Sequence, residues 1–317
     1  MKIVILDDHS VRQDDLDWHQ LEQLPNVELT TYERTPANLT VERSREAEGV
    51  FTNKIVFDKA IIEQLPKLRY IGVLATGYNV VDLEAAHKHG ITVTYIPAYS
   101  TPSVAQLVFA LLLHVTNSVA HYAEENSKGR WTQSPDFMWM DTKITELEGK
   151  TMVIRSMGNI GMRVANIAKA MGIRVVAVSN RTDLPSDIER ATWSEALKQA
   201  DILSLNCPLT EETREIINVE TLALMKSSAI IINTGRGPLV NERAVAKALN
   251  ENRIQAYCAD VLSIEPARKD CPLLTAPRCY LTPHIAWASS ESRQRLIDVA
   301  VENLVAFING NPKNVVS

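Results

Sequence analysis

Charge of one sign is what this chain most plainly lacks: 33 Lys and Arg against 38 Asp and Glu leave a net charge of −5 over 317 residues. Without a basic excess there is no footprint for a phosphate backbone, so nucleic acid is not an expected partner. Long apolar runs are missing as well. Lys2-Ile3-Val4-Ile5-Leu6 is too short for a span or a leader and runs straight into Asp7-Asp8, so it reads as a first strand. Cysteine is scarce: Cys207, Cys258, Cys271 and Cys279 have no metal-ligand spacing, and the first two sit in apolar runs that look like core. The expectations are no metal, no membrane and a cytoplasmic home with reduced thiols. No internal repeat or low-complexity linker is evident. What remains is an ordinary globular composition, 45% hydrophobic and 22% charged, with length for two domains.

Strand-like runs at 2–6, 27–32, 50–52, 70–73 and 92–95 alternate with amphipathic stretches such as 58–65 and 81–89. This alternation predicts an α/β fold with doubly wound parallel sheets. A long apolar helix at 104–115, capped by Ser103 or Thr101 with Pro102 between, follows the first hundred residues and marks a boundary. The helix at 289–309 has no sheet of its own, so it is expected to return to the first domain. The domains are therefore expected at 1–99 plus 289–317, and at 100–288.

The second domain opens on Thr151-Met152-Val153-Ile154, a buried-strand pattern, then Ser156-Met157-Gly158-Asn159-Ile160-Gly161-Met162, then a helical run from Val164 to Met171. Gly172 ends that helix, and a second apolar run at 173–178 completes a βαβ unit of about 30 residues. Strand, turn and helix in this order make a dinucleotide-binding turn, with the pyrophosphate facing the helix N-terminus. Three glycines are wanted, and Ser156, Gly158 and Gly161 stand in those places. The tight-turn position thus carries a Cβ. Arg155, at the end of a buried strand, needs a partner or an exit to solvent. The alternative is a βαβ unit kept for packing alone.

Which nucleotide binds is read at the end of the second strand, where NAD sites usually place a carboxylate for the ribose hydroxyls. Here stand Ser179-Asn180-Arg181-Thr182, with Asp183 only after the arginine. A guanidinium fork suits a phosphate, so the reading leans to NADP(H) over NAD(H). The alternative is that Arg181 is a solvated loop residue and that the chain is indifferent to the phosphate or prefers NAD.

Four further segments each end an apolar strand, where loops of open α/β sheets gather ligands. They are 202–210, ending Cys207-Pro208-Leu209-Thr210; 230–238, ending Asn233-Thr234-Gly235-Arg236-Gly237-Pro238; 256–266, with Asp260 and Glu265-Pro266; and 280–287, with Pro283-His284-Ile285-Ala286-Trp287. Arg, Glu and His each follow a strand. Alone, each fits a salt-bridged or solvated loop residue; as a trio they suggest chemistry.

With Ala75-Thr76-Gly77-Tyr78-Asn79 and Ser103-Val104-Ala105-Gln106 added, these segments resemble the D-isomer-specific 2-hydroxyacid dehydrogenase family over nearly the whole chain, nearest its glycerate dehydrogenase (hydroxypyruvate reductase) branch. The resemblance implies a Rossmann nucleotide-binding domain and a flavodoxin-like substrate domain, with a cleft between them. It implies reversible hydride transfer between NAD(P)H and a small 2-keto acid, hydroxypyruvate to D-glycerate first. Arg236 would anchor the substrate carboxylate and His284 would exchange the proton. Glu265 would fix the imidazole tautomer and favour its charged form, and the Ala75, Thr76 and Gly77 backbone would hold the carboxylate. The cofactor would meet Val104, Ser156, Gly158, Asn159, Ile160, Gly161, Asn180, Arg181, Cys207, Pro208, Thr213, Thr234, Gly235, Asp260 and Ala286, with Asp260 at the nicotinamide amide.

Departures from the family pattern gather at the nucleotide turn, where Val153, Arg155 and Ser156 replace Gly, an aliphatic residue and Gly; Asn206 and Asn241 replace His and Asp. A second class therefore stays open, a ligand-sensing protein on the same fold with little turnover. Family members usually pair as dimers, and Phe137-Met138-Trp139-Met140 is an apolar cluster in a polar connection, so a homodimer is expected.

Overall fold

Every pairing between strands is parallel. The inner strands of such sheets are buried on both faces, which is why they are mostly apolar rather than alternating, while the edge strands at Glu28–Thr31 and Glu189–Arg190 are polar and largely exposed. The computed structural model describes residues 1–13 and 15–316. It divides into two compact units, Met1–Ser100 with Trp287–Ser317, and Thr101–Ala286.

In the first unit, β1 (Lys2–Ile5), β2 (Glu28–Thr31), β3 (Gly49–Thr52), β4 (Tyr70–Val73) and β5 (Thr92–Thr94) form a sheet in the order β2-β1-β3-β4-β5. This is the flavodoxin-like order, whose direction reverses between β1 and β3. Its helices are α1 (His19–Glu22), α2 (Thr40–Ser44), α3 (Lys59–Ile62), α4 (Leu83–Lys88) and the last helix of the chain, α11 (Ser290–Ile308). The Asp58 and Asp82 side chains accept from the Ile61 and Ala85 amides and so start α3 and α4. Both helices are shorter than the periodicity at 58–65 and 81–89 predicts. On α11, Leu296, Ile297, Ala300 and Leu304 repeat at helical spacing and pack with Ile3, Ile5, Phe51 and Tyr70.

The second unit holds α5 (Thr101–Asn117), α6 (Val119–Ser127), β6 (Thr151–Arg155), α7 (Asn159–Ala170), β7 (Arg174–Val178), β8 (Glu189–Arg190), α8 (Trp193–Gln199), β9 (Ile202–Leu205), α9 (Val219–Leu224), β10 (Ile230–Asn233), α10 (Glu242–Asn250), β11 (Ala256–Ala259) and β12 (Cys279–Leu281). The sheet order is β12-β11-β10-β9-β6-β7-β8. It is a Rossmann sheet with the reversal between β6 and β9. Strand alternation splits the core in two: Met152 and Ile154 join Val108, Leu112, Val164 and Ala168 under α5 and α7, while Val153 joins the cluster under α8, α9 and α10.

Two local expectations change. The long helix begins at Thr101, so Pro102 lies inside its first turn, where a missing N–H costs nothing. Ser103 therefore does not cap it; its hydroxyl donates to Ala286 O at 2.6 Å. The two-residue edge strand β8 carries no sequence signal. Among the described residues no single helix is long and apolar enough to cross a membrane; α5 and α6 pass only together, and they bend by 59°.

Candidate active site

The turn after β6 keeps the geometry its sequence seems to break. Ser156 takes the left-handed conformation itself, with φ 77°, where glycine would sit without strain. Its amide donates to Val178 O at 2.9 Å, tying the turn to the end of β7. At Gly161 an added Cβ would collide with the Ser156 carbonyl, so that glycine is required by the packing of α7 on the turn. Gly158 is different. A Cβ there would meet nothing within 4 Å, so no packing in the chain requires glycine at that place. Gly158 is also the N-cap of α7, with no side-chain cap, and Asn159, Ile160 and Gly161 form the first turn. Exposed amides and a bare backbone fit a pyrophosphate. The residues present therefore fit a dinucleotide.

Arg155 finds a partial partner. Its Nη1 donates to Val178 O at 3.3 Å and its guanidinium lies 5.8 Å from the Trp193 ring, while its Nε is buried without a hydrogen bond. Nearby Cys207 is buried, and burial pushes its thiol up. Thr213 shapes this loop: its hydroxyl donates to Pro208 O at 2.8 Å and accepts from the Thr210 amide at 2.7 Å. The Gly235 Cα approaches the Leu205 and Cys207 carbonyls, where a Cβ would be crowded at 3.2 and 3.3 Å. Thr234 Oγ1 and Asn206 Oδ1 are buried without partners.

At the end of β7, Arg181 is exposed but paired. Its Nε and Nη2 meet Asp183 Oδ1 and Oδ2 at 2.6 and 2.8 Å, and its Nη1 donates to Met157 O at 3.2 Å. Asn180 is exposed beside it. Although no acid stands at the strand end itself, Asp183, two residues on, reaches back to the guanidinium, so a carboxylate does stand against a ligand here.

The catalytic trio sits on the loops after β10, β11 and β12. Asn233, fully buried, donates from Nδ2 to Arg236 O at 2.9 Å and accepts from the Gly235 amide at 3.1 Å, which shapes the turn and leaves Arg236 exposed. A Cβ on Gly237 would collide with the Leu262 backbone, so the arginine turn rests directly on the loop that carries Glu265. Glu265 Oε1 accepts from the Leu262 amide at 2.9 Å, and Oε2 lies 2.6 Å from His284 Nδ1. His284 is left-handed, φ 56°, and Asp260 holds its loop in place. One Asp260 oxygen accepts from the Thr282 hydroxyl and the Ile285 amide at 2.6 and 2.9 Å, and the other from the Ala286 amide at 2.8 Å. Burial pushes the Asp260 carboxyl up, against the pull of these three donors. Val104 and Ala286 are buried, and the Ser103 bond to Ala286 O ties the first turn of α5 to this loop.

Sequence reasoning missed Glu242. Its Oε1 accepts from the Ser263 amide at 2.7 Å, steadying the loop before Glu265. The only signal is an acid just after the Asn241 N-cap. Asn241 itself caps α10 through the Ala244 amide, a task Asn performs as well as Asp.

In the first unit, the Ala75, Thr76 and Gly77 loop lies at the carboxyl end of β4. The Thr76 hydroxyl donates to Ile96 O at 2.9 Å and the Ile96 amide donates to Ala75 O at 3.0 Å, pinning the loop to the end of β5.

A Rossmann sheet with a pyrophosphate-compatible turn, and an Arg, Glu, His set on neighbouring strand ends, define a nicotinamide-dependent oxidoreductase. The family model for the NAD-binding domain of D-isomer specific 2-hydroxyacid dehydrogenases matches residues 109–286. A hydroxypyruvate reductase from Blautia hydrogenotrophica is 42% identical, with 100% of each chain covered. A glycerate dehydrogenase from Methylorubrum extorquens is 38% identical over 89% of each. An acyclic imino acid reductase solved with NADPH and D-Arg superposes at a TM-score of 0.85, with 29% identity and full coverage of both chains. The chain belongs to the D-isomer-specific 2-hydroxyacid dehydrogenase family. It is an enzyme of the oxidoreductase class, working on CH–OH or keto groups with a nicotinamide cofactor.

Proposed function

We propose that the chain reduces hydroxypyruvate to D-glycerate, reversibly, with NADPH favoured over NADH. The observation that carries the chemistry is the 2.6 Å pair between His284 Nδ1 and Glu265 Oε2, on a loop that the Arg236 turn packs against. Reduced nicotinamide, when bound, supplies the hydride. Arg236 pairs with the substrate carboxylate and leans on the keto oxygen, since its planar fork offers two parallel donors. With Nδ1 engaged by the carboxylate, His284 Nε2 is the atom that gives its proton to the forming alkoxide and takes it back in oxidation. Glu265, holding Nδ1, fixes that orientation. Asp260, whose oxygens are committed to residues 282–286, acts first by holding His284 in position, and its remaining acceptor capacity suits the nicotinamide amide.

The name of the 42% identical relative and the intact trio support hydroxypyruvate over a ligand-sensing role without turnover. NADPH is favoured for the guanidinium at Arg181 and the absence of an acid at the end of β7 itself. Four free cysteines suit a reducing cytoplasm. A homodimer is supported by the exposed arm after α6, where Phe137 is 90% and Met140 59% exposed. The test is hydroxypyruvate-dependent loss of NADPH and NADH absorbance, with the mass in solution measured on native and Phe137→Glu protein. Turnover by a dimer that the variant dissociates is expected. No turnover on hydroxypyruvate, glyoxylate or pyruvate with either cofactor would favour the sensing role.

A further inference from the structure

The surface around Arg181 holds more than one cation. Arg190, exposed on the edge strand β8, donates from Nη2 to Arg181 O, and its register partner in the sheet is Ala177, one residue before the end of β7. The Arg181 amide donates to the Ser179 hydroxyl at 3.2 Å, which curls the loop after β7, and the Arg190 charge lies near enough to act on Asp183 as well. The Asp183 carboxylate takes the Arg181 fork with both oxygens, the same two-donor geometry that an arginine offers a phosphate. Arg181 first and then Arg190 hold the Asp183 carboxyl below the usual range. The pair is well exposed, 42% and 67% at its two side chains, and ion pairs so placed are weak and readily exchanged.

The same Arg181 also donates to Met157 O in the turn before α7. Its guanidinium is therefore fixed relative to the place where the adenosine half of a dinucleotide leaves the pyrophosphate turn. A phosphate on the ribose 2′-oxygen would compete with Asp183 for that fork. While Asp183 stays near, it also repels the incoming dianion.

We propose that Arg190 is a second cation of the adenosine 2′-phosphate subsite and that Asp183 is its built-in competitor, filling the Arg181 fork until a phosphate displaces it. The proposal rests on the NADPH reading above and deepens it. Cofactor preference in this chain is then set by an exchange of anions on one arginine, and the acid that limits NADPH lies after the arginine rather than at the strand end.

The test is equilibrium titration of the full chain with NADPH and with NADH, followed by nicotinamide fluorescence, for the native protein, Asp183→Asn and Arg190→Gln. The ratio of NADPH to NADH affinity should rise about tenfold in Asp183→Asn and fall about tenfold in Arg190→Gln. Both changes lie on exposed side chains, and a thermal melt of each variant confirms the fold. An unchanged ratio in either variant overturns the assignment. Because titration needs no turnover, the two readings fail separately. Ratios that move as stated in a protein inert towards hydroxypyruvate would overturn the proposed reaction alone. Reduction of hydroxypyruvate with ratios that stay fixed would overturn the phosphate subsite alone.

Discussion

Two loops of the Rossmann unit each place a residue with a side chain in the left-handed region, Ser156 after β6 and His284 after β12. They are held by different means. Around His284 the restraint is polar: Asp260 takes three donors from residues 282–286, Glu265 takes the imidazole, and the His284 amide donates to Thr282 O at 3.0 Å. Around Ser156 the restraint is steric, since the Gly161 backbone lies against the Ser156 carbonyl, helped by one amide bond to Val178 O. A conformation paid for by a hydrogen-bond network belongs with orienting a reactive group. One enforced by packing belongs with bringing a helix end close to a ligand. The departure from the glycine pattern at residue 156 is therefore a change of residue without a change of turn.

The comparison breaks most visibly at the trio. His284→Ala and Arg236→Ala should each lower kcat/KM for hydroxypyruvate about a thousandfold. The cofactor affinity, read by fluorescence titration, should survive in His284→Ala. An equal loss of both would mean that the two loops do not have separate tasks.

The two glycines of the turn should separate next. Gly161→Ala, forced against the Ser156 carbonyl, should destabilise the chain by about 2 kcal/mol in urea unfolding. Gly158→Ala should leave unfolding unchanged and weaken cofactor binding about tenfold, because only a ligand needs that space. Matching unfolding costs for the two would refute the division. Ser156→Gly should stabilise by about 1 kcal/mol, since it removes a Cβ from a left-handed residue. A loss of stability would show that the serine is held by more than packing.

The smallest effect concerns pH. Burial raises the Asp260 carboxyl, so this group's contribution to stability is complete below the ordinary carboxylate range, about pH 4, and declines as pH rises through the raised value. Asp260→Asn cannot ionise. The Tm of the variant relative to the native chain should therefore improve as pH rises above about 4, on top of a constant offset from altered hydrogen bonds. A flat difference would show that burial does not raise the Asp260 carboxyl on folding.

Much of this was legible in the chain itself. Parallel strands buried on both faces read as unbroken apolar runs, so β6, β7, β9, β10 and β11 could be found; the ends of β10 and β11 pointed to Arg236 and Glu265, and the end of the half-buried β12 to His284. Helix lengths were less legible: α3 and α4 stop early although the apolar spacing continues into the following loops. The short strand β8 has no pattern of its own, and it exists because Val176 and Ala177 offer it an edge.

The sequence by itself determined the fold class, the order of strand, turn and helix at the nucleotide site, and the residue types available for chemistry, because these follow from local periodicity and composition. Only the tertiary structure decided that Ser156 adopts the glycine conformation, that Asp183 occupies Arg181, that Asp260 and Glu242 brace the catalytic loops, and that Gly158 faces open space. Each of these depends on which backbone group lies across from which side chain, and that is fixed by sheet register and helix packing between segments far apart in the chain.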